Sequence, residues 1–239
     1  GPDANALIKT PSGEVLRAND PDKPVITYVA RNLEPYRGFH TFMRALPQVQ
    51  REHQNAHVVI VGGDDVSYGS RPKDATSWRE KMLAEVGSQL DPTRTHFLGK
   101  VPYADYKRVL QVSSAHVYLT YPFVLSWSCL EAMATGCLMV AGDTAPVREV
   151  IAHGQQGLLV PPVQASALTE GLELALALSG DAAATYRDRA GHVASNLSRH
   201  QGKKLLTTLL MPTRTLQPKP LTACTQAPAD SHRFIGELA

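Results

Sequence analysis

The sequence predicts an α/β fold: a doubly wound, mostly parallel sheet of about six strands with helices on both faces. Two observations carry the prediction. Short runs rich in Val, Ile and Leu alternate with longer helix-like segments, the pattern of stacked βαβ units rather than of an all-β sandwich. A chain of 239 residues with 43% apolar and 19% charged residues can bury a full core, and that composition is ordinary for a globular domain.

The elements follow in order along the chain. The β-branched run Val25, Ile26, Thr27 and Val29 marks a first core strand at 25–30. Gly38 lets the following turn close and opens a helix over 38–52. Val58, Val59, Ile60 and Val61 give a second strand at 57–62, followed by a helix over 74–88. Shorter apolar runs place strands at 95–98, 116–120, 138–142 and 157–160, and the segments between and after them are assigned to helices at 102–112, 126–136, 146–152, 164–178 and 181–198. In such an order ligands gather at the carboxyl ends of the strands. One Rossmann-like domain over 25–199 is the economical reading.

The flanks differ from this core. Residues 1–24 carry the turn clusters Pro11-Ser12-Gly13 and Pro21-Asp22-Lys23-Pro24, which suggest a loose hairpin or lead-in segment. In 200–239 only Lys204 to Met211 has helical character, and Pro212, Pro218, Pro220 and Pro228 interrupt any period after it, so a disordered or docked tail is expected.

Charge and cysteine content exclude several classes of function. Twenty-four basic against 22 acidic residues leave a formal charge of +2, with no basic arm for nucleic acid. No window approaches the roughly 18 apolar residues of a membrane span. Cys129, Cys137 and Cys224 are an odd set without a CxxC pair, which supports neither a disulfide framework nor a zinc site. Reduced thiols in a cytoplasmic protein are the plain expectation.

Two stretches carry chemistry. In the loop Arg31-Asn32-Leu33-Glu34-Pro35-Tyr36-Arg37-Gly38, two guanidinium groups leave the carboxyl end of a strand beside a helix start. They either clamp a diphosphate through bidentate, charge-assisted hydrogen bonds, or sit on the surface paired with Glu34 or water. In the second stretch, 123–150, Ser126 or Ser128 can cap a helix whose free amides favour an anion, and Glu131, one turn in, can accept hydrogen bonds from vicinal ribose hydroxyls. Ser128 and Glu131 also have the spacing of a capping box, in which Glu131 only folds back on the helix start. Gly62-Gly63-Asp64-Asp65 ends a strand and reads as a loop. His40, His53, His57, His96, His116 and His153 lack metal-ligand spacing and read as surface or core-edge histidines. Asp143 and Glu149 have no catalytic role assigned.

Five motifs then occur in a telling order: the loop 31–38, Val61-Gly62-Gly63, Phe97-Leu98-Gly99-Lys100-Val101-Pro102, Leu130-Glu131-Ala132-Met133-Ala134-Thr135-Gly136, and Gly157-Leu158-Leu159-Val160. Over residues 25–195 the chain resembles the donor-binding C-terminal domain of family 4 retaining glycosyltransferases, enzymes of GT-B fold.

The resemblance implies a site residue by residue. Arg37 stands where the family has a Lys on the donor diphosphate, and Arg31, or Asn32 by a one-residue shift, stands at the family's Arg. Arg31 and Arg37 would stabilise the departing diphosphate, and Gly99, Lys100 and Val101 would pack against the nucleobase. Leu125, Ser126, Trp127 and Ser128 would lie along the donor, with Glu131 on the ribose. The first of the family's two glutamates, near the sugar and eight positions before Glu131, falls on Phe123 here. A phenyl ring accepts no such hydrogen bond, so either the amides around 124–127 hold the sugar, the donor differs, or turnover is weak. Gln164 stands where the family often has an Asp, which weakens the cap of the next helix.

The implied function is binding of a UDP- or GDP-linked sugar, the substrate of hexose transfer to a glycan, lipid or small acceptor. No cofactor or obligatory metal is implied. A GT-B enzyme works in the cleft between two Rossmann-like domains, so the partner expected is an N-terminal acceptor-binding domain, without which this half is expected to be inactive. The alternatives are a non-catalytic Rossmann-like module with a decayed donor site and a GT-B-like sugar-nucleotide epimerase half.

Overall fold

In the computed structural model, residues 2–121, 125–178 and 180–210 are described, with 198–210 as backbone alone. The six apolar runs become the strands β3 (Val25–Asn32), β4 (His57–Gly63), β5 (Thr95–Gly99), β6 (Ala115–Tyr118), β7 (Met139–Gly142) and β8 (Gly157–Val160). All pair in parallel, in the order β5-β4-β3-β6-β7-β8. Counted from the first core strand this is the order 3-2-1-4-5-6 of a doubly wound sheet, as the sequence predicts. Before it, β1 (Leu7–Lys9) and β2 (Val15–Arg17) pair antiparallel as a small hairpin.

Helices cover both faces because the strands are apolar on both. β4 is buried along its whole length, as a central parallel strand requires. Phe39, Phe42, Met43, Leu46 and Val49 of α1 (Phe39–Glu52) join Leu168 and Leu172 of α6 (Ala165–Ala177) and Met82 of α2 (Trp78–Val86) in one core cluster. Leu110 of α3 (Tyr103–Val112), with Cys129 and Met133 of α4 (Trp127–Thr135), packs in another, together with Ala190 and Ala194 of the last helix.

Three helix boundaries depart from the sequence reading. α2 starts at Trp78 rather than 74, because Ser77 takes the N-cap and accepts the Glu80 amide at 3.1 Å. α5 is only Ala145–Arg148, since the backbone turns at 152–156 and His153 bridges to Gly157. α7 runs Gly180–Leu210, past the expected end at 198. By its contacts the chain divides into 1–201 and 202–239, and the tail expectation for 211–239 lies outside the described residues.

Two register breaks shape the carboxyl edge of the sheet. β3 slips against β4 between Val29 and Asn32, and β4 slips against β5 between Ile60 and Val61. Each break bends its strand and increases the local twist. The strand order reverses direction between β3 and β6, the place where doubly wound sheets open a crevice.

Candidate functional site

A cleft of about 500 Å³ opens at the carboxyl edge, lined by residues of the two slipped strands and of the β5–α3 turn. Arg31, exposed, lines it together with Gly62, Lys100 and Val101, and Tyr103 and Tyr106 of α3 line it as well. Gly99 turns the chain into this cleft with φ +67°, a conformation that L side chains rarely adopt. A Cβ on Gly63 would fall 2.2 Å from Lys100 Cε and 2.7 Å from Asn32 Oδ1, so the glycine is what lets the lysine cross the end of β4.

Arg37 stands at the β3–β6 crossover. Its Nη1 donates to Thr120 Oγ1 at 3.3 Å, its guanidinium lies 5.1 Å from the Tyr68 ring centre, and its buried Nε has no partner. The loop is braced from below, since the Tyr28 hydroxyl donates to the Arg37 carbonyl at 2.8 Å. Gly38 has φ +72°, and a Cβ there would lie 2.3 Å from Leu119 Cβ. The loop and the residue that follows β6 therefore meet at a separation only glycine permits.

Glu34 pairs with neither arginine. Its carboxylate is fully buried, and Oε2 accepts the amides of Ser67, Tyr68 and Gly69 at 3.1, 3.1 and 3.2 Å. One carboxylate thus ties the loop after β4 to the loop after β3. Asn32 does similar work: it is buried, and Nδ2 donates to Ser67 Oγ at 2.8 Å, while Arg31 is the residue that reaches the cleft. Of the two candidates for the basic position, Arg31 lines the cleft and Asn32 does not.

At α4 the N-cap is Ser126, not Ser128, and no side chain caps it. The Ser126 amide donates to the Tyr118 hydroxyl at 3.1 Å, and the Ser126 and Ser128 hydroxyls bond to each other at 2.6 Å. The capping-box reading of Glu131 is therefore wrong. Its carboxylate points across to α3, where the Tyr106 hydroxyl donates to Oε2 at 2.9 Å and the Tyr103 hydroxyl to Oε1 at 3.3 Å. Burial, reinforced by the Glu131 charge, raises the Tyr106 hydroxyl above its ordinary pKa and keeps it a proton donor. Leu125 packs into the α4 core cluster, whereas Trp127 is 69% exposed. The Phe123 position lies outside the described residues.

The remaining polar candidates fall into place as structure. Asp64 and Asp65 end β4 in a loop, where Asp65 pairs with Arg71 at 2.9 Å and with Lys100 at 3.6 Å. His116 is buried, bonded to Thr27 Oγ1 at 2.8 Å, and His57 Nδ1 lies 3.0 Å from His96 Nε2. Among the described residues no group of three or more His, Cys, Asp or Glu could hold a metal ion. Cys129 and Cys137 are free and buried, which pushes both thiols up to about 12. No helix among the described residues is long and apolar enough to cross a membrane.

The sequence reading missed Glu34, Tyr103 and Tyr106 as organising residues. Tyr103 and Tyr106 do leave a signal, an i,i+3 aromatic pair opening the helix after Gly99-Lys100-Val101-Pro102. Glu34 leaves none, because its partners are backbone amides more than thirty residues away.

The chain is 29% identical over 154 residues to a phosphatidyl-myo-inositol mannosyltransferase of Mycobacterium leprae, covering 62% of this chain and 36% of the relative. It therefore spans about a third of the length of the curated relatives it matches. Among solved structures it is similar to Anabaena HepE in complex with UDP and glucose (TM-score 0.64, 20% identity, 79% of this chain and 49% of that one). It is also similar to the C-terminal domain of a glycosyl transferase group 1 family protein, LpcC, from Francisella tularensis (TM-score 0.62, 14% identity, 75% and 93%). These likenesses place the sheet among GT-B Rossmann-like domains. With residues 16–192 matching the family described as glycosyl transferases group 1, the chain belongs to that family of GT-B-type glycosyltransferases.

Proposed function

We propose that this chain is the donor-binding half of a retaining, family 4 glycosyltransferase, and that its carboxyl-edge cleft takes a UDP- or GDP-linked hexose. The observation that carries the reading is the convergence of Arg31 and Lys100 on one cleft whose rim tyrosines hold Glu131. Cationic groups there receive the diphosphate, and the carboxylate receives the ribose hydroxyls.

As the anomeric carbon–oxygen bond of the donor breaks, negative charge grows on the departing diphosphate, and Arg31 and Arg37 stabilise it as fixed cations. The buried Nε of Arg37, which has no partner, supports that role. The backbone of Gly99, Lys100 and Val101 forms the nucleobase wall, and Ser126, Trp127 and Ser128 at the start of α4 line the donor. The relative's mannosyl transfer and the UDP and glucose of the HepE complex support a nucleotide hexose. An N-terminal acceptor-binding domain completes the enzyme, so the 239-residue chain binds donor without turning it over. The free, buried thiols support a cytoplasmic setting.

Calorimetric titration with UDP and GDP tests the reading. Wild type binds at least one of them, and Arg37→Ala and Glu131→Ala each bind it at least about tenfold more weakly, the loss of one charge-assisted contact. Absence of binding to both nucleotides by the wild type overturns the assignment.

A second reading, a non-catalytic module with a decayed sugar subsite, rests on Phe123 in place of the family's first glutamate. It requires the sugar to add nothing: UDP and UDP-glucose, or GDP and GDP-mannose, would bind equally.

A further inference from the structure

Tyr103 is the first residue of α3 and Tyr106 follows one turn later on the same face, toward Glu131 of α4. Their rings lie 5.7 Å apart at 41°. The Tyr106 ring packs against the α4 core cluster, while Tyr103 stands 67% exposed at the cleft rim. Each hydroxyl donates to a different oxygen of the Glu131 carboxylate, at 2.9 Å to Oε2 and 3.3 Å to Oε1. A carboxylate oxygen accepts two hydrogen bonds, so one acceptor direction remains on each oxygen, side by side. Two remaining acceptor positions on one carboxylate are the chemical complement of two vicinal hydroxyl donors.

We propose that Tyr103 and Tyr106 are positioning residues that hold the Glu131 carboxylate in register with the 2′- and 3′-hydroxyls of the bound nucleotide, and thereby set its preference for ribo- over 2′-deoxyribonucleotides. The proposal rests on the donor-site reading above. Two donors hold the carboxylate in one rotamer, so a ribose diol meets acceptors that need no further ordering. A 2′-deoxyribose offers one hydroxyl and leaves one aligned acceptor without its donor. Tyr106 matters more, because its hydroxyl is closer to the carboxylate and its ring is held by packing.

The test is calorimetry on the 239-residue chain with UDP and GDP, each against its 2′-deoxy counterpart, with thermal melting as a control for folding. Wild type prefers the ribonucleotide by about tenfold, a charge-assisted hydrogen bond's worth. Tyr106→Phe reduces that preference to about two- to threefold by weakening the ribonucleotide alone, and Tyr103→Phe lowers it less. Glu131→Gln abolishes it. Phenylalanine keeps the ring, so packing is preserved, and a purely structural role for Tyr106 would lower the melting temperature while moving both ligands equally. A wild-type preference that survives in Tyr106→Phe, or a wild type without preference, overturns the inference while leaving the donor site standing. Failure of the wild type to bind either ribonucleotide overturns both.

Discussion

The two edges of one parallel sheet treat polar side chains in opposite ways. At the amino-terminal edge they satisfy one another: Thr27 Oγ1 bonds Ser113 Oγ at 2.7 Å and His116 Nδ1 at 2.8 Å, Ser114 Oγ accepts the Val25 amide at 3.0 Å, and His57 meets His96 at 3.0 Å. At the carboxyl edge they do not. Of the six buried side-chain atoms without a partner among the described residues, four, Asn32 Oδ1, Glu34 Oε1, Arg37 Nε and His40 Nδ1, fall between 32 and 40, whereas one, Arg187 Nε, lies beside Ser114 on the other edge. An unpaired buried polar atom costs about 1–3 kcal/mol, so a cluster of them marks a place where stability is not what selected the residues. Under the proposed function, one edge holds the sheet together and the other takes the nucleotide. Substitutions at the first should change stability and leave nucleotide affinity alone, and substitutions at the second should do the reverse.

Glu34 is the place to break this division, because it lies on the ligand edge and works like a structural residue. Glu34→Ala frees three amides of the 67–69 loop and costs about 3 kcal/mol of stability by urea denaturation. It should also weaken nucleotide binding, since the loop it holds places Tyr68 beside Arg37. A variant as stable as wild type would contradict the assignment.

On the amino-terminal edge, burial lowers the His116 pKa to about 4. The unfolded chain takes up that proton near pH 6.5, so stability is complete above this pH and is lost as the pH falls toward 4, by about 3 kcal/mol. His57 and His96, also lowered by burial, act in the same direction. Urea melts at pH 7 and pH 4 measure the loss, and His116→Gln should flatten part of the profile without altering nucleotide affinity at pH 7. An unchanged profile in that variant would remove His116 from the account.

Next in size are the ligand-edge substitutions proper. Arg37→Ala and Glu131→Ala lower nucleotide affinity by about 1.5–2 kcal/mol, and unfolding free energy changes by less than about 1 kcal/mol because neither residue is fully buried. Equal losses of stability and affinity would erase the distinction between the edges. Ser77→Ala, outside the cleft lining, removes the α2 cap and costs about 1 kcal/mol with little effect on binding. It calibrates the others.

Legibility in the sequence follows the same division. The six strands were readable because a parallel strand buried on both faces is a short, nearly continuous apolar run, as 58–61 shows. The early start assigned to α2 overlooked a signal that was present, the Ser77-x-x-Glu80 spacing of a capped helix. The same spacing at Ser128 and Glu131 was misleading, because tertiary partners on α3 claim Glu131. Spacing within one helix cannot reveal such a competition. Arg31, Arg37 and Glu131 stand out in the sequence as candidates, and Glu34 does not as an organising residue, since backbone amides leave no mark in a sequence.

Hydrogen–deuterium exchange with and without saturating UDP or GDP tests the central claim most directly, because it reports both edges of the sheet in one experiment. The account predicts added protection at 31–38, 62–69, 99–106 and the start of α4, with the amides around Thr27, His57, His96 and His116 unchanged. Protection confined to the amino-terminal edge, or protection at neither edge despite saturating nucleotide, would contradict it.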